Sequence, residues 1–262
     1  MRAVALRDRS IAARACGAAL AATLALVAAG CGGGTEDAAA PPAPIDSPVD
    51  AAAAGRVIGR VTLEGTPPAA EVINRRADPY CEELGEARTE TYMVSRSGAL
   101  QNVFIFVKDG LGDLHFPIPT EPVVLDQRGC TYVPRVFGIQ AGQALDIFNS
   151  DDTLHNVHAA PELNREFNRG QGLQGMRHTH VFTTPEVMVP FQCDVHDWMH
   201  AWVGVLDHPF HATTAADGTF AIDGLPPGTY TIEAWHEELG PLTRTVTIEP
   251  TAEIETSFTF TM

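Results

Sequence analysis

Short apolar stretches alternate with polar positions along the chain from Gly55 onward, and Gly, Pro, Asn and Asp separate them. No stretch keeps a helical repeat of apolar residues, so the period-two alternation predicts an all-β protein. Such short strands suit two packed β-sandwich or barrel units. Residues 71–97 are rich in charge, and only a helical turn near 80–86 is indicated there. The predicted strands are 56–63, 102–107, 135–139, 144–149, 156–159, 187–193, 201–206, 219–222, 229–235, 242–248 and 253–260.

Turn signals near the C-terminus define a hairpin. Asp217-Gly218 precedes one strand, and Pro226-Pro227-Gly228 separates it from the next, which is turn chemistry between extended segments. The succession Asp-Gly-Thr-Phe, then Leu-Pro-Pro-Gly-Thr-Tyr, resembles the carboxypeptidase regulatory-like, transthyretin-like β-sandwich. The resemblance implies structural support rather than chemistry, and it assigns the opening G-x-V strand to Gly59-Arg60-Val61.

That opening strand lies far upstream of the hairpin, which bears on the domain order. A discontinuous β-sandwich of residues 55–109 and 207–262 would enclose an inserted domain at 110–206. A simple tandem order is the alternative, and the sequence leaves the two open.

The charge excludes one class of partner. Seventeen basic residues against 33 acidic ones give a formal charge of −16, which would repel nucleic-acid phosphates. With 45% hydrophobic residues the chain can still build cores.

The first 30 residues predict export. Four arginines and one aspartate precede an uncharged stretch that ends at Cys31, as in a signal peptide. The end Val-Ala-Ala-Gly-Cys31 resembles a bacterial lipobox, which implies lipidation of Cys31, with periplasmic or outer-membrane anchoring. An ordinary secretory signal and a membrane-anchored start are the alternatives. Residues 31–54, rich in Gly, Ala and Pro, predict a flexible, disordered tether from the membrane to the folded part.

A thiol, two imidazoles and a thioether occur at positions in the sequence that suggest a metal site. Cys193, His196 and Met199 follow a predicted strand, and His155 follows an earlier one. One Cys, two His and a weak axial Met form the donor set of a blue, type 1 copper site, which transfers single electrons. Asn156 is placed to bond across to the cysteine loop and support both loops.

The spacing C-x-x-H-x-x-M downstream of H-N-V-H resembles cupredoxins of the amicyanin and plastocyanin type. The resemblance covers about residues 118–206 and implies a Greek-key β-sandwich with His155, Cys193, His196 and Met199 as copper ligands. Two other interpretations stay open: a buried thiol with surface histidines, or a zinc site. His158 is predicted to face away from the ligands.

The residues beside the cysteine argue against an enzyme. Copper enzymes of the family place a histidine directly next to it, whereas here Gln192 and Asp194 flank Cys193. No C-x-x-C-H haem motif occurs. The remaining histidines are predicted to be solvated, namely His200, His208, His211 and His236.

The other two cysteines of the exported part are Cys81 and Cys130. Outside the cytoplasm such a pair is expected to oxidise, so the sequence predicts a disulfide, with two separate buried thiols as the alternative.

Two functions follow from these observations. The first is a membrane-tethered electron carrier in which the edge of His196 is exposed. Trp198 would help to form an apolar docking patch for a partner redox protein, and the acidic surface favours a partner with a basic patch. The second is a non-redox β-sandwich lipoprotein for binding, structure or copper storage.

Overall fold

A computed structural model describes residues 47–262, so the predicted signal peptide, Cys31 and most of the tether lie outside the described residues. The all-β prediction is confirmed, because α1 (Pro79–Glu83) is the one α-helix of this part of the chain. Within it, no helix has the length and apolar character to cross a bilayer. The strands are β1 Gly55–Glu64, β2 Phe104–Asp109, β3 Val123–Gln127, β4 Tyr132–Val133, β5 Val136–Gln140, β6 Ala144–Asn149, β7 His155–Ala159, β8 Phe167–Gln171, β9 Arg177–Val181, β10 Glu186–Gln192, β11 His200–Leu206, β12 His211–Thr213, β13 Thr219–Leu225, β14 Gly228–His236, β15 Gly240–Ile248, β16 Glu253–Glu255 and β17 Phe258–Thr261.

The first sandwich combines both ends of the described chain. Strand β1 pairs antiparallel with β13 and parallel with β16 and β17. The facing sheet has the order β12-β2-β14-β15. Side chains from β1, β2 and the C-terminal strands share one core, which includes Val61, Ile105, Ile232 and Phe258. The early and late segments therefore form one β-sandwich, and residues between β2 and β12 are inserted into it.

Two glycines of the sequence motifs make this sandwich possible. A Cβ atom on Gly59 would lie 1.7 Å from the Thr256 carbonyl oxygen, where the crossover from β16 to β17 passes over β1. Gly218 has φ +78°, and a Cβ there would lie 2.5 Å from the Val61 carbonyl oxygen. Side chains at either position would separate β1 from its neighbours.

The second sandwich contains the predicted metal ligands. Its five-stranded sheet has the order β5-β11-β10-β7-β8, and its four-stranded sheet has the order β4-β3-β6-β9. Apolar side chains from both sheets fill the space between them, including Leu125, Ile147, Phe191 and Val203. Strands β7 and β10 are neighbours, and this pairing sets His155 beside the strand that leads to Cys193.

A segment between β1 and β2, called here the strap (residues 66–101), contains α1. Asp78 is the N-cap of this helix, its side chain accepts the Cys81 N–H, and Pro79 begins the first turn. The structure contains the predicted disulfide between Cys81 and Cys130, which joins the strap to the loop between β3 and β4.

The two sandwiches share a third apolar cluster. It includes Phe104, Phe106, Val136 and Leu206. The Trp202 and Trp235 rings lie 5.2 Å apart at its border. Beside them, Arg135 donates to both carboxylate oxygens of Glu237 at 2.9 and 2.8 Å.

Candidate metal centre

The loop between β10 and β11 carries three of the predicted ligands. Cys193 follows β10 directly, and the Cys193 N–H donates to the Met199 carbonyl at 3.1 Å. The Met199 N–H donates to the His196 carbonyl at 3.0 Å. These bonds close a tight turn just before β11, so Cys193, His196 and Met199 occupy one end of the sandwich.

The structure brings His155 to the same end. The Nδ1 atoms of His155 and His196 are 2.9 Å apart, and Cys193 Sγ is 3.9 Å from His196 Nδ1. The three donor atoms all lie within 4.8 Å of one another. All three residues are buried, and Met199 is buried in the same apolar cluster as Cys193. Two imidazole nitrogens and a thiol converge in a closed site, a donor set that suits a thiophilic transition-metal ion.

Asn156 links the two loops as the sequence suggested. Its Oδ1 atom accepts the Asp194 N–H at 2.7 Å and the Cys193 thiol at 3.3 Å. Its Nδ2 atom donates to Asp194 and Asn168 at 3.1 and 2.8 Å. These contacts hold the cysteine at a fixed distance from β7.

Two carboxylates beside the histidines, buried Asp151 and half-buried Asp78, were not predicted from the sequence. The Asp151 Oδ2 atom lies 2.9 Å from His155 Nε2, and the Asp78 Oδ2 atom lies 3.0 Å from His196 Nε2. Asp151 stands four residues before His155, whereas Asp78 is 118 residues from its partner. The only local signal for Asp78 was its place as a helix N-cap before Pro79 and Cys81.

The predicted exposure of the His196 edge is wrong, because only 1% of this residue is accessible. The strap covers the ring, with Asp78 at its outer nitrogen and Cys81 Sγ 3.8 Å from the same atom. Trp198 lies on another side, with its ring centroid 4.9 Å from that of His196. The indole N–H donates to the Cys130 carbonyl at 3.0 Å, so half-buried Trp198 forms part of the wall around the site.

The surroundings favour a charged site. Burial alone would raise the pKa of Cys193, but hydrogen bonds with His155 and His196 lower it to about 6. Burial alone would lower the pKa of His196, but bonds to Cys193 and Asp78 outweigh it and the net shift is upward. The pKa of Asp151 is lowered because backbone N–H groups and His155 outweigh its burial. The site thus combines a stabilised thiolate with two carboxylates, which favours a bound cation.

The other histidines lie outside this group. His158 contacts Asp194 and Glu166 at 3.1 and 2.8 Å. The prediction of solvated histidines holds for His200 but not for His211, which is half-buried. It is wrong for His208 and His236, which are buried in the packing around the first sandwich. Burial lowers the pKa of His208 and His236.

Comparison with known proteins supports parts of this description. Residues 201–262 match the model of the carboxypeptidase regulatory-like domain, which confirms the resemblance for the C-terminal segment. None of the curated proteins compared with the chain matches it.

Three solved structures show similarity to part of the chain. A Cu-containing nitrite reductase from Thermus scotoductus is 20% identical over 36% of this chain and 24% of its own, with a TM-score of 0.32. A purple cupredoxin from Nitrosopumilus maritimus is 21% identical over 32% of this chain and 98% of its own, with a TM-score of 0.28. The Cu(I) form of an amicyanin variant is 19% identical over 34% of this chain and 85% of its own, with a TM-score of 0.29.

Proposed function

We propose that this protein is an exported one-electron carrier that holds a single type 1 copper ion. The observation that carries the proposal is the convergence of buried His155, Cys193 and His196 donor atoms within 4.8 Å. Met199, buried beside Cys193, supplies the weak fourth ligand.

The donor set explains why electron transfer is the expected chemistry. When bound, copper supplies a Cu(I)/Cu(II) couple that thiolate and imidazole ligands can both accommodate. The chain keeps the ligands in place through the turn at Met199, the Asn156 bridge and the pairing of β7 with β10. Ligands that are already fixed need little rearrangement when one electron enters or leaves, and this favours a carrier.

A carrier accounts better than a copper enzyme for the residues around the site. Gln192 and Asp194 flank the cysteine, so no neighbouring histidine connects it to a second copper ion. The closed surroundings of His196 also leave no open face on that ring for a substrate.

The rest of the proposal concerns location and partners. A lipid on Cys31 and the tether at 31–54 would hold the folded part near a bacterial membrane, on the periplasmic side or at the outer membrane. Removing residues 1–30 would change the formal charge from −16 to −19. Such a surface favours a redox partner with a basic patch.

Visible absorption and EPR spectra of the purified protein test the copper site directly. The purified protein loaded with Cu(II) should show an intense visible charge-transfer band and narrow copper hyperfine splitting in its EPR spectrum. Cys193→Ser should lose both signals, because the thiolate is their source. The matched control is His158→Gln, which changes a histidine outside the ligand group and should keep both. A colourless wild-type protein would contradict the proposal.

The C-terminal match to a regulatory-like sandwich favours one other candidate, a non-redox structural or copper-storage lipoprotein. Voltammetry distinguishes the two. A reversible one-electron wave supports the carrier, and bound copper without such a wave supports storage.

A further inference from the structure

The two inward-facing imidazoles have matching arrangements at their outer nitrogens. Each Nε2 atom faces an aspartate, Asp78 for His196 and Asp151 for His155. Each aspartate also accepts the backbone N–H of a cysteine, and those two cysteines form the disulfide. We propose that Asp78 and Asp151 are positioning residues that orient both histidines toward the metal, an inference that rests on the proposed copper site.

Asp151 is fixed by the loop that contains Cys130. Its Oδ1 atom accepts the Gly129 N–H at 2.7 Å, and its Oδ2 atom accepts the Cys130 N–H at 2.8 Å. Only 2% of the residue is accessible. With both oxygens held by backbone donors, the carboxylate cannot rotate away from His155.

Asp78 is fixed from the strap. Its Oδ1 atom accepts the Cys81 N–H at 3.2 Å, and its Oδ2 atom accepts the Thr153 hydroxyl at 2.6 Å as well as contacting His196. The Tyr80 hydroxyl donates to Asp151 at 3.2 Å. The strap is therefore joined to the loop that contains Cys130 by the disulfide, and to the loop between β6 and β7 by two hydrogen bonds that run in opposite directions.

This arrangement decides which nitrogen of each ring can bind a metal. A carboxylate beside Nε2 keeps the proton on that atom and leaves the Nδ1 lone pair free to face inward. The two Nδ1 atoms lie 2.9 Å apart, so both rings turn this nitrogen toward the same point. The negative charges also favour the more positive metal ion, so both carboxylates should stabilise Cu(II) over Cu(I).

Asp78 belongs to the strap between β1 and β2, so a segment of the first sandwich completes the metal site of the second. Both contacts to the outer nitrogen of His196 come from the strap, so the second sandwich by itself would leave that edge uncovered. Here that edge is held by a charged hydrogen bond beneath a disulfide.

The test uses Asp78→Asn and Asp151→Asn in the purified full chain, with Asp152→Asn as the control. Asp152 is exposed and adjacent, so its substitution removes the same charge without touching either ring. We expect Cu(II) affinity to fall about 10–100-fold in both test variants and to stay unchanged in the control. If Cu(I) affinity stays constant, each tenfold loss raises the reduction potential by about 59 mV. Thr153→Val, a milder change at Asp78, should give a smaller shift in the same direction.

A second measurement needs no copper. In ¹⁵N-resolved NMR spectra of the metal-free protein, the Nε2–H proton of His196 should move upfield in Asp78→Asn, because its charged acceptor is lost. The corresponding signal of His155 should move only in Asp151→Asn. The inference would be overturned if Asp78→Asn and Asp151→Asn had the same Cu(II) affinity, reduction potential and Nε2–H signals as Asp152→Asn. A colourless wild-type protein whose Nε2–H signals move as expected would overturn the copper proposal alone.

Discussion

Removal of the Cys81–Cys130 disulfide should cost the protein a large share of its stability. The bond joins residues 49 positions apart. The entropy of closing a loop of that size in the unfolded chain corresponds to about 4 kcal/mol at 25 °C. Both cysteines are fully buried, so alanines at these positions would also leave a small void that adds to the loss. Cys81→Ala combined with Cys130→Ala should therefore lower the free energy of unfolding by at least about 4 kcal/mol.

Urea unfolding of the metal-free protein measures this loss without any contribution from metal binding. The unfolded double variant is no longer cross-linked and exposes more surface, so its m-value should rise. Cys193→Ser is the control, because it removes a thiol and keeps the cross-link, and its m-value should stay at the wild-type value. A loss below about 1 kcal/mol with an unchanged m-value would refute the loop-entropy argument.

Three other substitutions test the packing around the two sandwiches. Burial lowers the pKa of His211 to about 4, so the unfolded chain takes up a proton on this residue before the folded protein does, and stability is lost as pH falls from about 6.5 toward 4. Denaturation at pH 7 and pH 4.5 should show about 2 kcal/mol less pH dependence in His211→Gln than in wild type. Arg135→Ala leaves the Glu237 side chain, which is 9% exposed, without its cationic partner. It should lower the melting temperature through a loss of about 3 kcal/mol, and an unchanged melting temperature would show that the pair contributes nothing. Gly59→Ala forces a methyl group against the Thr256 carbonyl. Urea unfolding should show a free energy of unfolding lower by about 1–3 kcal/mol, and an unchanged value would mean that the crossover can move freely.

The part of the site that lies within one hairpin could be predicted from the sequence. Cys193, His196 and Met199 are close in the chain, so a strand followed by a tight turn is enough to bring them together. His155 required one further step, the pairing of its strand with β10. Asp78 could not be predicted in the same way, because no local pattern relates residues 118 positions apart or shows that a charged segment folds over a metal site.

The fold shows the same division between local and distant signals. Strands with a regular apolar face, such as β6 and β14, were predicted nearly at their observed bounds. Strands β8 and β9 were missed, because they lie at sheet edges and carry mostly polar, partly exposed side chains. Buried His208 and His236 were misjudged for a related reason, since scattered histidines give no periodic signal of the core that surrounds them.

The position of β1 also sets the order in which the molecule can assemble. Its partner β17 is distant in the chain, and the bond from the Arg60 N–H to the Ser257 hydroxyl spans 197 residues. Contacts of such long range are slow to form, because much of the chain must be confined before they stabilise anything. The inserted sandwich draws its strands from β3 to β11 and has all of them while the C-terminal strands are still being made. β1, the first strand of the described residues, is therefore among the last to find its partners.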